Sequence, residues 1–325
     1  MTPFAIAGIQ MPVSALQSNV DAMLFRVDML MLRFPWTQMA LFSELAAHGP
    51  LTRFAQPFPN NDIERFQEKA REHRIWLIPG SMYEKTPDGR ILNSSVVIDP
   101  DGNIVAHYSK MFPFLPYEAG VDAGTGFCVF DVPEVGRFGL SICYDIWFPE
   151  TTRQLTSQGV EVLLHPVLTG TIDRSAEIAI AQATAAQFQC FVFDVNGLDT
   201  GGVGRSLVVD PTATVLYQSA GQEDMFPVEI DLAQVRRQRE TGLKGLGQLL
   251  KSFRDRSADF SVYDRSSGTD AYLRTLGPLE IPGKGSRAGL QNIEPSRALA
   301  TSPVGALPVA QPLPAGGLAV PRPVS

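Results

Sequence analysis

The chain has 325 residues, of which 44% are apolar and 19% are charged, and 27 Lys and Arg against 34 Asp and Glu give a formal net charge of −7. Because no excess of basic residues is present to neutralise phosphates, the composition argues against a nucleic-acid-binding protein. The 19 Phe, 7 Tyr and 3 Trp residues can fill a sizeable core, which argues against a chain that is disordered throughout.

Short apolar segments typical of buried strands alternate along the chain with amphipathic helical segments. The predicted strands are residues 4–10, 39–42, 75–78, 137–143, 160–164 and 191–196. The predicted helices are residues 19–33, 61–72 and 175–188, with another that begins near Pro149. Because strands and helices alternate, we predict an α/β fold built in layers.

Two segments of the chain resemble each other. Residues 94–105 and 205–216 each consist of a β-branched run, an Asp-Pro turn and a second apolar run. The two turns begin at Asp99 and Asp210, and each segment is predicted to form a β-hairpin. Two hairpins in corresponding places indicate two similar sheets that face each other within one domain.

The composition changes after residue 281. Residues 282–325 are rich in proline and glycine and contain no Phe, Tyr or Trp. Because this segment has little apolar surface to offset the entropy of ordering it, we predict a flexible tail there and a folded domain over residues 1–281.

Three cysteines, Cys128, Cys143 and Cys190, form neither an even set nor a Cys-x-x-Cys pair, so the sequence predicts no disulfide framework and no zinc site. No apolar run reaches the roughly 18–20 residues that a membrane span requires. Residues 1–10 lack a basic start and resemble a first strand rather than a signal peptide. We therefore expect a soluble, cytoplasmic protein that binds neither nucleic acid nor a membrane.

Cys143 lies between a predicted strand and a predicted helix. Such a turn exposes a nucleophile at the carboxyl edge of a sheet, whereas Cys128 and Cys190 lie inside apolar runs and are expected to pack in the core. Glu44 and Lys110 also follow apolar runs, and a carboxylate and an ammonium there could relay a proton and stabilise an oxyanion. Each of these charges, taken singly, is also typical of a solvated strand end.

Three blocks of sequence together resemble the nitrilase, or carbon–nitrogen hydrolase, superfamily. They are residues 42–44 (Phe-Ser-Glu), residues 108–112 (Tyr-Ser-Lys-Met-Phe) and residues 140–150, which contain Cys143. The resemblance covers about residues 1–255. It implies an αββα sandwich that forms a homodimer or a larger homo-oligomer, with segments near residues 251–263 at the dimer contact, and a reaction that needs no cofactor and no metal.

The resemblance also implies roles for four residues. Glu44 would be the general base, Lys110 the cation that stabilises the oxyanion, and Cys143 the nucleophile. Glu118, in the segment Pro-Tyr-Glu-Ala-Gly, is similar to an additional structural or catalytic glutamate of the family. The implied chemistry is hydrolysis of a carbon–nitrogen bond through a thioester.

The residues beside the nucleophile indicate the substrate class. Cys143 is followed by Tyr144 and Asp145, which resembles amidases more than nitrilases, and Trp147 stands where related enzymes place an arginine that binds a carboxylate. We therefore expect a small neutral amide as substrate, with Tyr144, Trp147 and His165 at the substrate-binding site.

Three alternatives stay open at this point. The chain could hydrolyse an N-carbamoyl amine or a nitrile, as other members of the superfamily do. It could use Cys143 with His165 as a Cys–His pair, although no glycine flanks the cysteine as that arrangement requires. It could also be a non-catalytic binding or scaffold protein on the same fold.

Overall fold

The computed structural model describes residues 3–264 and 266–281, so the predicted tail at residues 282–325 lies outside the described residues. The strands are β1 (Phe4–Gln10), β2 (Met39–Phe42), β3 (Trp76–Ile78), β4 (Met82–Lys85), β5 (Ile91–Ile98), β6 (Ile104–Ser109), β7 (Cys128–Val132), β8 (Gly136–Leu140), β9 (Val162–Val167), β10 (Phe191–Asn196), β11 (Leu198–Asp199), β12 (Gly202–Val203), β13 (Leu207–Val209), β14 (Val215–Gln218) and β15 (Asp224–Ile230). The α-helices are α1 (Val20–Arg33), α2 (Asn61–His73), α3 (Pro149–Ser157), α4 (Arg174–Phe188), α5 (Leu232–Thr241), α6 (Leu249–Arg254) and α7 (Ala271–Arg274).

The strands form two main sheets. The first has the order β15-β1-β2-β3-β5-β4, with β6 paired to β5, and the second has the order β14-β13-β10-β9-β8-β7. The central pairs β1–β2 and β2–β3 of the first sheet, and β8–β9 and β9–β10 of the second, are parallel. The carboxyl ends of these central strands therefore meet at one edge of each sheet.

The two sheets face each other, and helices cover their outer faces. Phe4 and Ile6 of β1 pack in one cluster with Val162 and Leu164 of β9, between the sheets. The residues that alternate with them in β1 pack against α1 and α2, and Leu163 of β9 packs with residues of α3 and α4. This two-residue alternation, with both faces buried, explains why the central strands are largely apolar. The predicted αββα sandwich is confirmed.

The two predicted hairpins occupy corresponding places in the two sheets. β5–β6 belongs to the first sheet and β13–β14 to the second, and each pair shows a shift of register before its turn. The carboxylate of Asp99 accepts hydrogen bonds from the backbone N–H groups two and four residues later, and Asp210 does the same in its own turn. The same local chemistry therefore closes both hairpins.

Two predicted strands have other bounds in the structure. The strand expected over residues 160–164 is Val162–Val167 and therefore includes His165. The strand expected over residues 137–143 ends at Leu140, and Cys143 begins a 3-10 helix, Cys143–Trp147. The reason is that Asp145 accepts a hydrogen bond from the backbone N–H of Ile142, while Cys143 adopts a positive φ of 46°. Neither feature is compatible with a continued strand. Over the described residues, no helix combines the length and the apolar character needed to cross a membrane.

Candidate active site

The carboxyl ends of strands from both sheets supply the predicted catalytic residues. Glu44 follows β2 and Lys110 follows β6 in the first sheet, whereas Cys143 follows β8 in the second. The backbone N–H of Glu44 donates to the carbonyl oxygen of Val167, at the end of β9, at 3.2 Å. This bond joins the two sheets at the position of the carboxylate, so the spacing of the site is set by the packing of the sheets.

The chain beside Glu44 is held by a glycine. Gly80 has a φ of +73°, and a Cβ at this position would lie 1.8 Å from the carbonyl oxygen of Ser43. Any side chain at residue 80 would therefore displace the turn that carries Glu44. The residue after Glu44 is held as well, because the backbone N–H of Leu45 donates to the hydroxyl of Ser81 at 3.0 Å.

The ammonium of Lys110 lies between two carboxylates. Its Nζ is 2.8 Å from Oε1 of Glu44 and 2.8 Å from Oε2 of Glu118. The side-chain amide of Asn93 donates to the same two carboxylates, at 2.8 Å to Glu44 and 3.2 Å to Glu118. A lysine ammonium has three N–H donors, so one donor stays available for a substrate oxygen after these two pairs are made.

Burial and charge shift the pKa values of these groups in different directions. Burial raises the pKa of Glu44, with a further contribution from the charge of Glu118, and Lys110 only partly opposes this rise. Burial disfavours the charged form of Lys110, but the negative groups around it outweigh burial and raise its pKa well above the ordinary value. Burial is also outweighed at Glu118, where Lys110 lowers the pKa. Glu44 is therefore the carboxylate better suited to exchange a proton.

Cys143 lines a cavity of about 530 Å³. Its positive φ places a non-glycine residue in a strained conformation that is found at nucleophilic turns. Burial raises the pKa of the thiol, and the charge of Glu44 raises it further, while Lys110 lowers it. The resting group is thus a thiol that needs a base to remove its proton, and Glu44 lines the same cavity.

Asp145 connects the turn of Cys143 to the loop of Lys110. Its Oδ2 accepts from the backbone N–H of Ile142 at 2.9 Å and from the hydroxyl of Tyr108 at 2.7 Å. Its Oδ1 accepts from the backbone N–H groups of Met111 and Phe112, at 3.1 and 2.9 Å. Burial raises the pKa of Asp145 to about 6. One buried carboxylate therefore sets the position of two segments that carry predicted catalytic groups.

Two of the three predicted substrate-binding residues line the cavity. Tyr144 and Trp147 are half-buried and contribute to its wall, with ring centroids 6.1 Å apart. Tyr144 also makes an edge-to-face contact with Phe114, at 5.0 Å. The residues that line the cavity are Glu44, Leu45, Pro50, Tyr83, Lys110, Phe114, Tyr117, Glu118, Cys143, Tyr144, Trp147, Leu168, Thr169, Gly170, Asp173, Glu177, Thr200 and Gly201.

His165 is the exception, and its expected place at the substrate-binding site is corrected by the structure. It does not belong to the cavity lining of the described chain. As a β9 residue it shares a face with Leu163, which packs towards α3 and α4, and the hydroxyl of Ser141 is 2.8 Å from its Nδ1. Burial lowers the pKa of His165 to about 4, so the imidazole is held neutral in the interior.

Sequence reasoning assigned no role to four polar residues of the site: Asn93, Asp145, Thr169 and Glu177. Asp145 stood inside one of the three blocks that carry the family resemblance, and Asn93 directly precedes the first predicted hairpin, but nothing in either segment showed their partners. Thr169 and Glu177 line the cavity, and Thr169 Oγ1 is 3.8 Å from the sulfur of Cys143. A signal for Glu177 was present, since it lies three residues after Arg174 in an otherwise alanine-rich helix.

Comparison with known proteins agrees with this architecture. The model of the carbon-nitrogen hydrolase family matches residues 6–240. A nitrilase and fragile histidine triad fusion protein of Caenorhabditis elegans is 34% identical over 198 residues, which are 55% of this chain and 44% of that protein. An (R)-stereoselective amidase of a Pseudomonas species is 30% identical over 219 residues, which are 65% of this chain and 77% of that protein. The chain thus spans less than half the length of the nematode relative.

Solved structures share the fold. The carbon-nitrogen hydrolase of Helicobacter pylori G27 superposes with a TM-score of 0.69 at 23% identity, covering 81% of this chain and 98% of that one. The arrangement of two facing sheets with outer helices is the fold that the chain shares with this neighbour. Since the family model matches well over half of the chain, the protein belongs to the carbon–nitrogen hydrolase family.

Proposed function

We propose that this protein is an amidase that hydrolyses a small neutral amide to a carboxylic acid and ammonia through a thioester on Cys143. The observation that carries the proposal is that one cavity holds a thiol, a buried carboxylate with a raised pKa and a fixed ammonium. The Pseudomonas relative is itself named an amidase. The cavity lining of the described chain contains no arginine that could bind a substrate carboxylate.

Glu44 begins the reaction by accepting the thiol proton as the sulfur of Cys143 attacks the amide carbon. The third N–H of Lys110 and the backbone N–H of Tyr144 hold the oxyanion, because the first N–H groups of a helix have no acceptor within it. The C–N bond then breaks, and the proton held by Glu44 leaves with ammonia.

Water completes the cycle. Glu44 accepts a proton from a water molecule that attacks the thioester carbon, the same donors hold the second oxyanion, and the C–S bond breaks. The acid leaves and the sulfur regains a proton, so the enzyme returns to its starting state. A homodimer or larger homo-oligomer and a cytoplasmic location, both expected from the sequence, remain part of this proposal.

The proposal is tested by Cys143→Ala, measured by ammonia release from formamide, acetamide, propionamide and butyramide, with a nitrile and an N-carbamoyl amine as comparison substrates. We expect the wild type to hydrolyse at least one simple amide and the variant to lose this activity, because the bond-forming sulfur is gone. Full activity in the folded variant, or release only from the nitrile or the carbamoyl amine, would contradict the proposal.

The other two cysteines provide an internal control. A small electrophile such as fluoroacetamide should alkylate Cys143, which lines the cavity together with Glu44, and leave Cys128 and Cys190 unmodified, since both are buried in the core and neither belongs to the cavity lining of the described chain. Peptide mapping by mass spectrometry locates the adduct. Failure to label Cys143 would instead favour a binding protein on this fold.

A further inference from the structure

The cavity around Cys143 carries more acid than base. Its charged lining residues, within the described chain, are Glu44, Lys110, Glu118, Asp173 and Glu177, which are four carboxyls and one ammonium. Lys110 pairs with Glu44 and Glu118. The two remaining carboxyls belong to the start of α4, and no basic side chain of the cavity lining accompanies them.

Only one oxygen of Glu177 has a well-formed hydrogen bond. Its Oε2 accepts from Nη1 of Arg174 at 2.8 Å. Its Oε1 is buried and receives no hydrogen bond of regular geometry from any residue in the described ranges 3–264 and 266–281, although the hydroxyl of Thr169 lies close enough to the carboxylate to lower its pKa. A buried carboxylate oxygen without a well-formed hydrogen bond costs free energy, and the side chain borders the cavity. A donor carried by a bound molecule would satisfy it.

The negative charge of Glu177 is not required by Arg174. Both terminal nitrogens of that guanidinium already contact the carboxylate of Asp194, and Nη2 also donates to the carbonyl oxygen of Arg205. Arg174 and Asp194 therefore cancel each other's charge, and Glu177 adds a surplus negative charge. Burial raises the pKa of Glu177 to about 7, with a further contribution from Asp194, as expected of a carboxylate whose charge lacks full compensation.

Glu177 lies within reach of the reacting group. Thr169, whose hydroxyl is 3.8 Å from the sulfur of Cys143, lines the cavity together with Glu177. The charge of Glu177 also contributes to the raised pKa of the Cys143 thiol, after burial and the charge of Glu44. A short substrate whose carbonyl contacts the sulfur would bring its far end near this carboxylate.

We propose that Glu177 is a specificity-determining residue that accepts a hydrogen bond from a protonated amino group of the substrate. The preferred substrates are then small aminoamides, in which an ammonium lies a few bonds from the amide carbonyl. This inference rests on the proposed amidase activity and extends its substrate class from neutral to positively charged amides. An ammonium supplies the well-formed hydrogen bond that Oε1 lacks and compensates the surplus charge of the buried cluster.

The test compares amides of equal size that differ only in charge. β-Alaninamide and butyramide are one such pair, and glycinamide and propionamide are a shorter pair. At about pH 8, where Glu177 is ionised and the amine of β-alaninamide is protonated, we expect the kcat/KM of the charged member to exceed that of its neutral partner roughly ten- to a hundred-fold in at least one pair. The Glu177→Gln variant keeps the shape of the side chain and should bring this ratio close to one.

The ratio separates this inference from the proposed function. A general loss of activity in the variant cancels from it, because both amides are measured on the same protein. If no amide is hydrolysed by the wild type, the proposed function itself fails. If butyramide is hydrolysed but the charged amide is not preferred, only the role of Glu177 is overturned.

Asp173→Asn provides the matched control. It removes the same charge from the same cavity, but from a half-buried residue whose field is screened by solvent. We expect this variant to keep most of the preference. An equal loss in both variants would overturn the assignment to Glu177 and attribute the preference to the overall negative potential of the cavity.

Discussion

Lys110 fixes the protonation states of the site at the level of single residues. Its ammonium is only 1% exposed and bonds to both Glu44 and Glu118. The two negatively charged carboxylates repel each other, and they share a single cation. The carboxylate that is more buried, and whose charge is less well compensated by Lys110, therefore keeps the higher pKa. In the proposed mechanism this physical asymmetry makes Glu44 the group that transfers the proton and Glu118 the group that positions Lys110.

The pH dependence of the rate follows from this asymmetry. We expect kcat/KM for a neutral amide to fall on acidification, because protonated Glu44 cannot accept the thiol proton. As the pKa of Glu44 is raised above the ordinary value of 4.5, the fall should begin at a higher pH than an ordinary glutamate would give. Glu118→Gln removes one of the raising charges, so the midpoint of the acid limb should move to lower pH. Rate profiles of the two proteins measure the shift.

A surface glutamate provides the comparison for that experiment. Glu72 on α2 is 59% exposed and pairs with Lys69 away from the cavity lining, so Glu72→Gln should leave the acid limb where it is. An acid limb that does not move in Glu118→Gln would contradict the coupling of the two carboxylates.

At the scale of elements, Asp145 joins the 3-10 helix of Cys143 to the loop of Lys110. The two segments follow strands of different sheets, since the 3-10 helix follows β8 of the second sheet and the loop follows β6 of the first. All four hydrogen bonds at Asp145 are donated to it, three by backbone N–H groups, which cannot accept, and one by the hydroxyl of Tyr108. An asparagine would turn its N–H₂ group towards at least one of these backbone N–H groups.

We therefore expect Asp145→Asn to lower kcat about a hundred-fold while KM changes much less, because a displacement of about 1 Å between reacting groups has an effect of that size. Stability should fall by about 1–3 kcal/mol, since buried donors lose their acceptor. Steady-state kinetics and urea unfolding measure the two effects. Asp131→Asn is the control, because Asp131 is 63% exposed in a surface ion pair with Arg137. A variant with wild-type kcat would contradict the positioning role.

At the scale of the whole molecule, the site depends on the apolar layer between the sheets. Phe138 of β8 is fully buried and contacts Phe4 of β1 edge-to-face at 5.7 Å and Phe130 of β7 at 5.6 Å. It therefore joins the first sheet to the second. The distance between Glu44 and Cys143, which belong to different sheets, is set by this packed layer.

Phe138→Ala should destabilise the fold by about 3–5 kcal/mol, because it leaves a large cavity between the two sheets. The paired strands of each sheet cannot move far enough to fill that cavity. The free energy of unfolding in urea measures this loss. Phe25 of α1 is 60% exposed, and Phe25→Ala removes the same atoms from the surface, with an expected change of about 0.5 kcal/mol or less. If the two variants lost the same free energy of unfolding, the apolar layer between the sheets would not be the main source of stability at Phe138.

Much of the fold and part of the site follow from local sequence. The alternation of apolar and amphipathic segments predicted the layers, the Asp-Pro turns predicted both hairpins, and the position of Glu44, Lys110 and Cys143 at strand ends predicted that they could meet. These features are local because a strand end or a turn is specified by the few residues around it. The family resemblance added Glu118, which the structure places 2.8 Å from Lys110.

The partners of these residues were decided by tertiary structure alone. Asn93 contacts two carboxylates, Asp145 joins two loops, and Glu177 borders the cavity only because two sheets and a helix pack at one spacing. His165 stands at the end of an apolar run just as Glu44 does, yet strand alternation turns it towards α3 and α4. The direction of a side chain at a sheet edge depends on which face meets the other sheet. That choice is made by the burial of apolar surface over the whole chain.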